Sequence, residues 1–186
     1  MNADIDRVEE SINQGDYVAY AGRLSKEKGI DLIIAAAAKL PHIKFKLAGR
    51  GAEQFKDNTP VNLEFCGYLS GDELDDFYSN CRFAVMASTC YETFGLAAVE
   101  AMLHGKPVIA SDIGGLPEII GKDECGINFP PGNISIFTEK IKELWDNPEL
   151  SKKLGAKGRA RVLKLYSPSA YYSKLMEIYK NLCTIN

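Results

Sequence analysis

Two glutamates, Glu92 and Glu100, are separated by seven residues in the segment YETFGLAAVEAMLHGKP, residues 91–107. Apart from Glu100, the stretch GLAAVEAML within it is apolar on every helical face, which is typical of a buried helix. A buried carboxylate needs a partner that donates hydrogen bonds or carries positive charge. The chemistry of this segment therefore depends on what the two acids bind.

A basic loop, GRLSKEKG at residues 22–29, is the second feature with chemical potential. Arg23 can bind an anion as a planar bidentate donor, and Lys28 can bind one as a compact point charge. The alternative is a solvated turn that happens to be basic, because charged turns are common on protein surfaces.

The start of the glutamate-bearing helix is predicted to be another anion site. Backbone N–H groups from Thr93 to Leu96 lack helical acceptors there, and the helix dipole favours negative charge. Gly95 would allow a ligand to approach closely. Two anion sites at adjoining strand ends predict a diphosphate ligand.

The two acids can then be given partners. Side chains on a helix lean toward its amino terminus, so Glu100 is expected to point back into the cleft beside Glu92. Sugar hydroxyls suit carboxylates next to phosphates, so the pattern predicts a nucleotide sugar with one acid for each of its sugars. Three alternatives stay open. Glu92 could simply interact with the positive end of the helix dipole, and Glu100 could form an internal ion pair with a Lys or Arg. The two acids could also be the acid and the nucleophile of a glycosidase.

The elements that must position these residues alternate along the chain. Six short apolar runs, from DYVAYAG to GINFP, are separated by helical patterns, and from Asn133 onward the pattern is helical only. This order predicts an α/β, Rossmann-like open parallel sheet of about six strands with helices on both faces. Ligands bind beyond the carboxyl ends of such strands, where both candidate loops fall. Residues 1–15 are predicted as a lead-in, and residues 16–186 as one domain.

Composition narrows the function classes. The chain has 186 residues, 46% of them hydrophobic, and a formal net charge of −3, which gives no electrostatic case for a nucleic-acid partner. Five cysteines without a Cys-x-x-Cys pair and two histidines predict no disulfide framework and no metal cluster. Without a signal-peptide or membrane-spanning pattern, we expect a cytoplasmic protein. The GRGAEQF loop lacks the third glycine of a dinucleotide fingerprint, and the GGLPE turn has no assigned role.

Taken together, these motifs resemble the carboxyl-terminal, donor-binding domain of the retaining glycosyltransferases of family 4. The family's two glutamates separated by seven residues match Glu92 and Glu100, and its basic Gly-Arg motif matches GRLSKEKG. The stretches GKPVIASDIGGLPEII, LAGRG and FCGYLS continue the pattern, so the resemblance runs from about Asp16 to about Leu182.

The resemblance implies one half of the two-domain GT-B architecture and a role for each site residue. Arg23 and Lys28 would bind the donor diphosphate, and Glu100 would take the ribose hydroxyls. Tyr68 and Leu69 would border the base. The donor sugar and its phosphate would be held by Glu92, Thr93, Phe94, Gly95 and Leu96. Glu92, Arg23 and Lys28 would carry the catalysis.

The implied reaction moves a sugar from a nucleotide diphosphate sugar to an acceptor hydroxyl with retention, using no metal and no further cofactor, in polysaccharide or glycoconjugate biosynthesis. The implied partner is an amino-terminal GT-B domain that binds the acceptor. Through that domain, the protein would associate peripherally with the membrane. Because only about fifteen residues precede the first strand, this chain alone is predicted to be inactive. A nucleotide-sugar epimerase half-domain and a non-catalytic nucleotide-sugar-binding module are the alternatives.

A final helix, residues 168–183, is predicted from its apolar spacing. The resemblance implies that this helix packs toward the other domain. Its apolar and aromatic residues are Tyr171, Tyr172, Leu175, Met176, Tyr179 and Leu182.

Overall fold

The computed structural model describes residues 15–183, so the predicted lead-in lies almost wholly outside the described residues. Its six strands form one parallel sheet in the order β3-β2-β1-β4-β5-β6. The strands are β1 (Tyr17–Ala21), β2 (Lys44–Ala48), β3 (Leu63–Gly67), β4 (Phe83–Met86), β5 (Val108–Ser111) and β6 (Gly126–Phe129). The predicted parallel sheet of about six strands is confirmed.

Seven α-helices follow or connect these strands within the described part of the chain. They are α1 (Ile30–Lys39), α2 (Asp72–Ser79), α3 (Leu96–Leu103), α4 (Leu116–Ile119), α5 (Ile134–Asp146), α6 (Pro148–Leu165) and α7 (Pro168–Cys183). Single 3₁₀ turns lie at Lys26–Lys28, Ala52–Gln54 and Lys56–Asn58.

The sheet is covered on both faces because its central strands are apolar on both sides. Every residue of β1 is buried, with alternate side chains in two separate cores. One core is closed by α1 and α5, and the other by α2, α3 and α4, while α6 contributes side chains to both. The predicted placement of helices on both faces is therefore confirmed.

The carboxyl-terminal helices begin where their sequence signals stand. The side chain of Asn133 accepts a hydrogen bond from the N–H of Ile136 at the start of α5, and Asn147 caps α6 in the same way. Helix α7 begins at Pro168 and has no buried residue. It therefore adds little to either core.

The strand order reverses between β1 and β4, which are neighbours in the sheet but distant in the chain. Such a switch point opens a crevice at the carboxyl ends of the two strands. The loop after β1 holds Arg23 and Lys28, and the loop after β4 holds Glu92. Both predicted anion-binding segments thus flank the crevice.

Candidate functional site

Contacts that only glycine permits join the loops after β1 and β4. Gly29 has a φ of +75°, and a Cβ placed on it would stand 1.9 Å from the carbonyl oxygen of Ala87. The N–H of Thr89 also donates to the carbonyl of Glu27 at 2.9 Å. The backbone of the basic loop is therefore locked against the segment that leads to Glu92.

The GGLPE turn, which had no assigned role, supports the same segment from the other side. The N–H of Gly115 donates to the carbonyl of Glu92 at 2.7 Å. A Cβ on Gly114 would stand 2.6 Å from both the nitrogen and the carbonyl oxygen of Glu92. The turn after β5 thus holds the backbone of Glu92 in place.

The loop after β2 packs against the basic loop in the same manner. A Cβ on Gly49 would stand 1.8 Å from the carbonyl oxygen of Gly22, and one on Gly51 would stand 2.4 Å from that of Leu24. Between these glycines, the carbonyl of Arg50 accepts from the N–H of Leu24 at 2.8 Å. Loops from four strand ends consequently form one packed frame.

Glu92 has its partners inside the protein. The Lys28 Nζ lies 2.5 Å from its Oε1, and the Ser88 hydroxyl donates to the same oxygen at 2.7 Å. Burial raises the pKa of Glu92, but the hydrogen bonds from Lys28 and Ser88 outweigh it and bring the pKa below the ordinary value. The sequence indicated separate roles for Lys28 and Glu92, whereas the fold joins them in an ion pair.

The amino terminus of α3 faces the same region. Gly95 precedes it with a φ of +73°, and a Cβ there would stand 2.7 Å from a methyl carbon of Leu116. Within residues 15–183, the N–H groups of Gly95, Leu96 and Ala97 have no hydrogen-bond acceptor. Together with the helix dipole, they can bind an anion.

Beside this terminus a cavity of about 490 Å³ opens at the carboxyl ends of β1, β2 and β3. Glu100 lies in its wall, half-buried, and no Lys or Arg among the described residues forms an ion pair with it. Burial and the neighbouring Asp75 raise the pKa of Glu100, and a hydrogen bond with Tyr78 opposes that rise. Unlike Glu92, Glu100 is free of a cationic partner in the described structure and open to a ligand.

The far wall of the cavity is formed by Tyr68, Leu69 and Arg50. The Arg50 guanidinium lies over the Tyr68 ring, 4.7 Å from its centroid, in a cation–π contact. Arg50 was missed in the sequence because its loop was considered as an incomplete dinucleotide fingerprint and as a glycine-rich turn of the family, and not as a basic site. The basic residue between two glycines at a strand end was the available signal.

The model for the family described as "Glycosyl transferases group 1" matches residues 2–161. The chain belongs to this family. An uncharacterised glycosyltransferase of Methanocaldococcus jannaschii is 38% identical over 155 residues, which are 79% of this chain and 44% of that protein. This chain therefore spans less than half the length of that curated relative.

Solved glycosyltransferase structures share the fold. Sucrose-phosphate synthase from Thermosynechococcus elongatus superposes with a TM-score of 0.81 at 28% identity, covering 94% of this chain and 47% of that one. The carboxyl-terminal domain of a group 1 glycosyltransferase from Francisella tularensis gives a TM-score of 0.75 at 26% identity, covering 89% and 98%. The predicted family and GT-B-type fold are confirmed.

Within this glycosyltransferase domain, the predicted site residues fall into two groups. Those in the cavity wall are Arg23, Tyr68, Leu69, Leu96 and Glu100. Those outside that wall are Lys28, in the loop after β1, and Glu92, Thr93, Phe94 and Gly95, in the loop after β4. The fold brings both groups to one edge of the sheet, and their roles toward a ligand remain predictions.

Two of these side chains have contacts that the sequence did not predict. Arg23 is two-thirds exposed and pairs with Glu27 at 2.9 Å. Phe94 packs edge-on against Tyr166 at the end of α6, with ring centroids 5.4 Å apart. The α3 terminus is thus linked to the carboxyl-terminal helices through an aromatic pair.

No group of three His, Cys, Asp or Glu side chains in residues 15–183 could hold a metal ion. No helix within the same range is long and apolar enough to cross a membrane.

Proposed function

We propose that this domain is the donor-binding half of a retaining glycosyltransferase that transfers a sugar from a nucleotide diphosphate sugar to an acceptor hydroxyl. The observation that carries the proposal is the cavity beside the switch point, between the ends of β1 to β3 and the start of α3. Arg23 and the free N–H groups of α3 stand at one end of it, and the half-buried Glu100 stands beside them.

The cationic groups would bind the diphosphate and stabilise the charge that builds on it as the sugar leaves. Arg23 is exposed enough to turn from Glu27 toward a phosphate. Lys28 has three donors, so it can keep its hydrogen bond to Glu92 and donate to a phosphate as well. These groups together make a metal ion unnecessary for donor binding.

The two acids would bind different sugars. Glu100 would accept hydrogen bonds from the ribose hydroxyls in the cavity, and Glu92, on the adjoining loop, would contact the transferred sugar. Retention would follow from attack of the acceptor on the same face as the leaving diphosphate, as the resemblance to family 4 implies. The chain then needs no nucleophile of its own.

The acceptor would be held by a second, amino-terminal domain. The relative from Methanocaldococcus jannaschii is more than twice as long as its matched region, which leaves room for such a domain. Helix α7 offers a contact surface, because Tyr171, Tyr172, Tyr179 and Leu182 are each more than half exposed on it. We therefore expect this chain alone to bind the donor without transferring the sugar. We also expect it to act in the cytoplasm, and at the membrane surface if the second domain binds the membrane.

Calorimetry in EDTA with UDP, GDP and ADP tests donor binding. At least one of them should bind without metal, and Arg23→Ala should weaken it roughly tenfold, as expected for a lost charge-assisted hydrogen bond. Lys26→Ala is the matched control, because it removes an exposed positive charge from the same loop. Unchanged affinity in Arg23→Ala, or binding only with magnesium, would contradict the assignment.

The partner domain is tested by supplying an amino-terminal GT-B half, fused or in trans, and assaying glycosyl transfer with product analysis. Transfer should appear only with that half, and hydrogen exchange over residues 168–183 should slow in its presence. Robust transfer by this chain alone, or equal protection of α7 with and without the partner, would contradict the proposal. An epimerised sugar as the product would instead identify an epimerase.

A further inference from the structure

Arg50 is a charged residue of the cavity wall that the proposed function leaves without a task. It lies at the end of the cavity formed with Tyr68 and Leu69, on the β2 and β3 side, away from the loop after β4 that carries Glu92. Arg23 and Glu100 are the other charged residues in the wall, and the proposed function assigns them to the diphosphate and the ribose. The position left for Arg50 is the one beside the base.

The backbone of Arg50 is held rigidly. Gly49 and Gly51 press against the loop after β1, and the Arg50 carbonyl accepts from Leu24 at 2.8 Å. Gly49 also donates to the carbonyl of Gly67 at 2.7 Å, which ties this loop to the one before Tyr68. The side chain therefore projects from a fixed point rather than from a mobile turn.

The Arg50 guanidinium is also available for a ligand. No carboxylate in residues 15–183 forms an ion pair with it, and its only contact of that kind is the face of the Tyr68 ring. Stacking on a ring leaves the N–H groups at the edge of the guanidinium free to donate in its own plane. An aromatic ring that is 61% exposed and an edge of donors then stand together at one end of an apolar cavity.

Arginine donates hydrogen bonds and accepts none. A base edge that offers acceptors, such as the carbonyl oxygens of uracil or the O6 and N7 of guanine, matches these donors. The corresponding edge of adenine carries an amino group beside N7, which would place donor against donor at that position and leave one guanidinium N–H without an acceptor on the base. The wall around Arg50 thus discriminates by the polarity of the base edge rather than by its size.

We propose that Arg50, stacked on Tyr68, selects donors whose nucleobase presents carbonyl oxygens, namely uracil or guanine, against adenine. This inference rests on the proposed nucleotide-sugar function and specifies the substrate class of that site.

The test is calorimetry of the full chain with UDP, GDP and ADP separately, in the wild type and in Arg50→Met, which keeps the apolar stem and removes every donor. The better of UDP and GDP should bind the wild type roughly tenfold more tightly than ADP. In Arg50→Met that preference should fall to about twofold or less, with ADP affinity little changed. The UDP and GDP arms show which carbonyl base is used.

Lys56→Met is the matched control, since it removes an exposed lysine from the 3₁₀ turn that follows the same loop and should leave the preference intact. Thermal melts confirm that each variant is folded. Equal binding of ADP by the wild type, or a preference that survives Arg50→Met, would overturn the role of Arg50 while leaving nucleotide binding established. Failure of all three nucleotides to bind the folded wild type would overturn the proposed function together with this inference.

Discussion

Glu92 and Glu100 stand at the same edge of the sheet, yet their surroundings differ in kind. Glu92 lies on a loop that glycine contacts hold from two sides, and Lys28 and Ser88 already satisfy one of its oxygens. Glu100 lies on α3 in the cavity wall, and no cation in the described structure pairs with it. The protein gives Glu92 a cationic partner, whereas Glu100 has only the hydrogen bond with Tyr78 among the described residues and keeps acceptor capacity for a ligand.

The largest effect is expected from substituting Gly29, because its contact with Ala87 packs the loop after β1 against the segment that leads to Glu92. Gly29→Ala would place a Cβ 1.9 Å from the Ala87 carbonyl, so we expect a loss of about 3 kcal/mol or more and no measurable nucleotide binding. Thermal denaturation and calorimetry provide the measurements.

Gly132→Ala is the matched control for Gly29→Ala. It has the same φ of +75° and nothing within 4 Å of its Cβ position, so only backbone strain of about 1 kcal/mol is expected. Equal destabilisation in the two variants would mean that the contact with Ala87 does not hold the loops together.

Binding measurements on Glu92→Gln and Glu100→Gln test whether the two acids serve different sugars. Glu100→Gln should weaken binding of a nucleoside diphosphate and of its sugar conjugate by the same factor, roughly tenfold, because the ribose hydroxyls lose a charged acceptor. Glu92→Gln should reduce only the extra affinity that the transferred sugar contributes, since Lys28 stays free to bind phosphate. The same loss for both ligands in both variants would remove the distinction.

Stability as a function of pH should separate the two acids by sign. The folded-state pKa of Glu92 is lowered, so its contribution is present above the unfolded pKa of about 4.3 and is lost as pH falls through the folded value. The folded-state pKa of Glu100 is raised, so its contribution is present below about pH 4.3 and is lost as pH rises through the folded value.

The stability measurement compares each glutamine variant with the wild type by thermal melts between pH 3 and pH 8. Glu92→Gln should be less stable than the wild type at pH 7 by about 1 kcal/mol, and the difference should shrink in acid. Glu100→Gln should gain stability relative to the wild type as pH rises. Parallel profiles for the two variants would show that the environments of the acids do not differ as described.

The aromatic contact between Phe94 and Tyr166 should have the smallest effect. Tyr166→Leu should lower the free energy of unfolding by about 1 kcal/mol, because the loop before α3 loses one contact. It should also weaken binding of the nucleoside diphosphate sugar roughly twofold. Leu163→Ala, which shortens an exposed side chain on the same helix, is the control. A binding loss as large as that of Glu100→Gln would place Tyr166 closer to the ligand than the structure does.

The fold was predictable from the sequence because its strands are short, apolar and separated by regular helical patterns. The same alternation placed Arg23 and Glu100 at the carboxyl edge, and both lie in one cavity. The pairing of Lys28 with Glu92 was not predictable, since the two residues are 64 positions apart and meet only because β1 and β4 are neighbours.

The role of the GGLPE turn was hidden for a related reason. Gly114 and Gly115 act on the backbone of Glu92, and backbone contact between loops leaves no side-chain signal in the sequence. Arg50 lies in a loop whose motif was incomplete for a dinucleotide, and only the fold shows that it lines the cavity and stacks on Tyr68.

The glycine contacts between the loops also bear on how such a site can diversify. Gly29, Gly49 and Gly114 leave no room for a single additional carbon atom, so these positions cannot carry new specificity. Their neighbours, such as Arg50, project side chains from the same rigid backbone and can vary without moving it. Selection for new donors would then act on the residues between the glycines, and a library built there would retain a folded frame in most of its members.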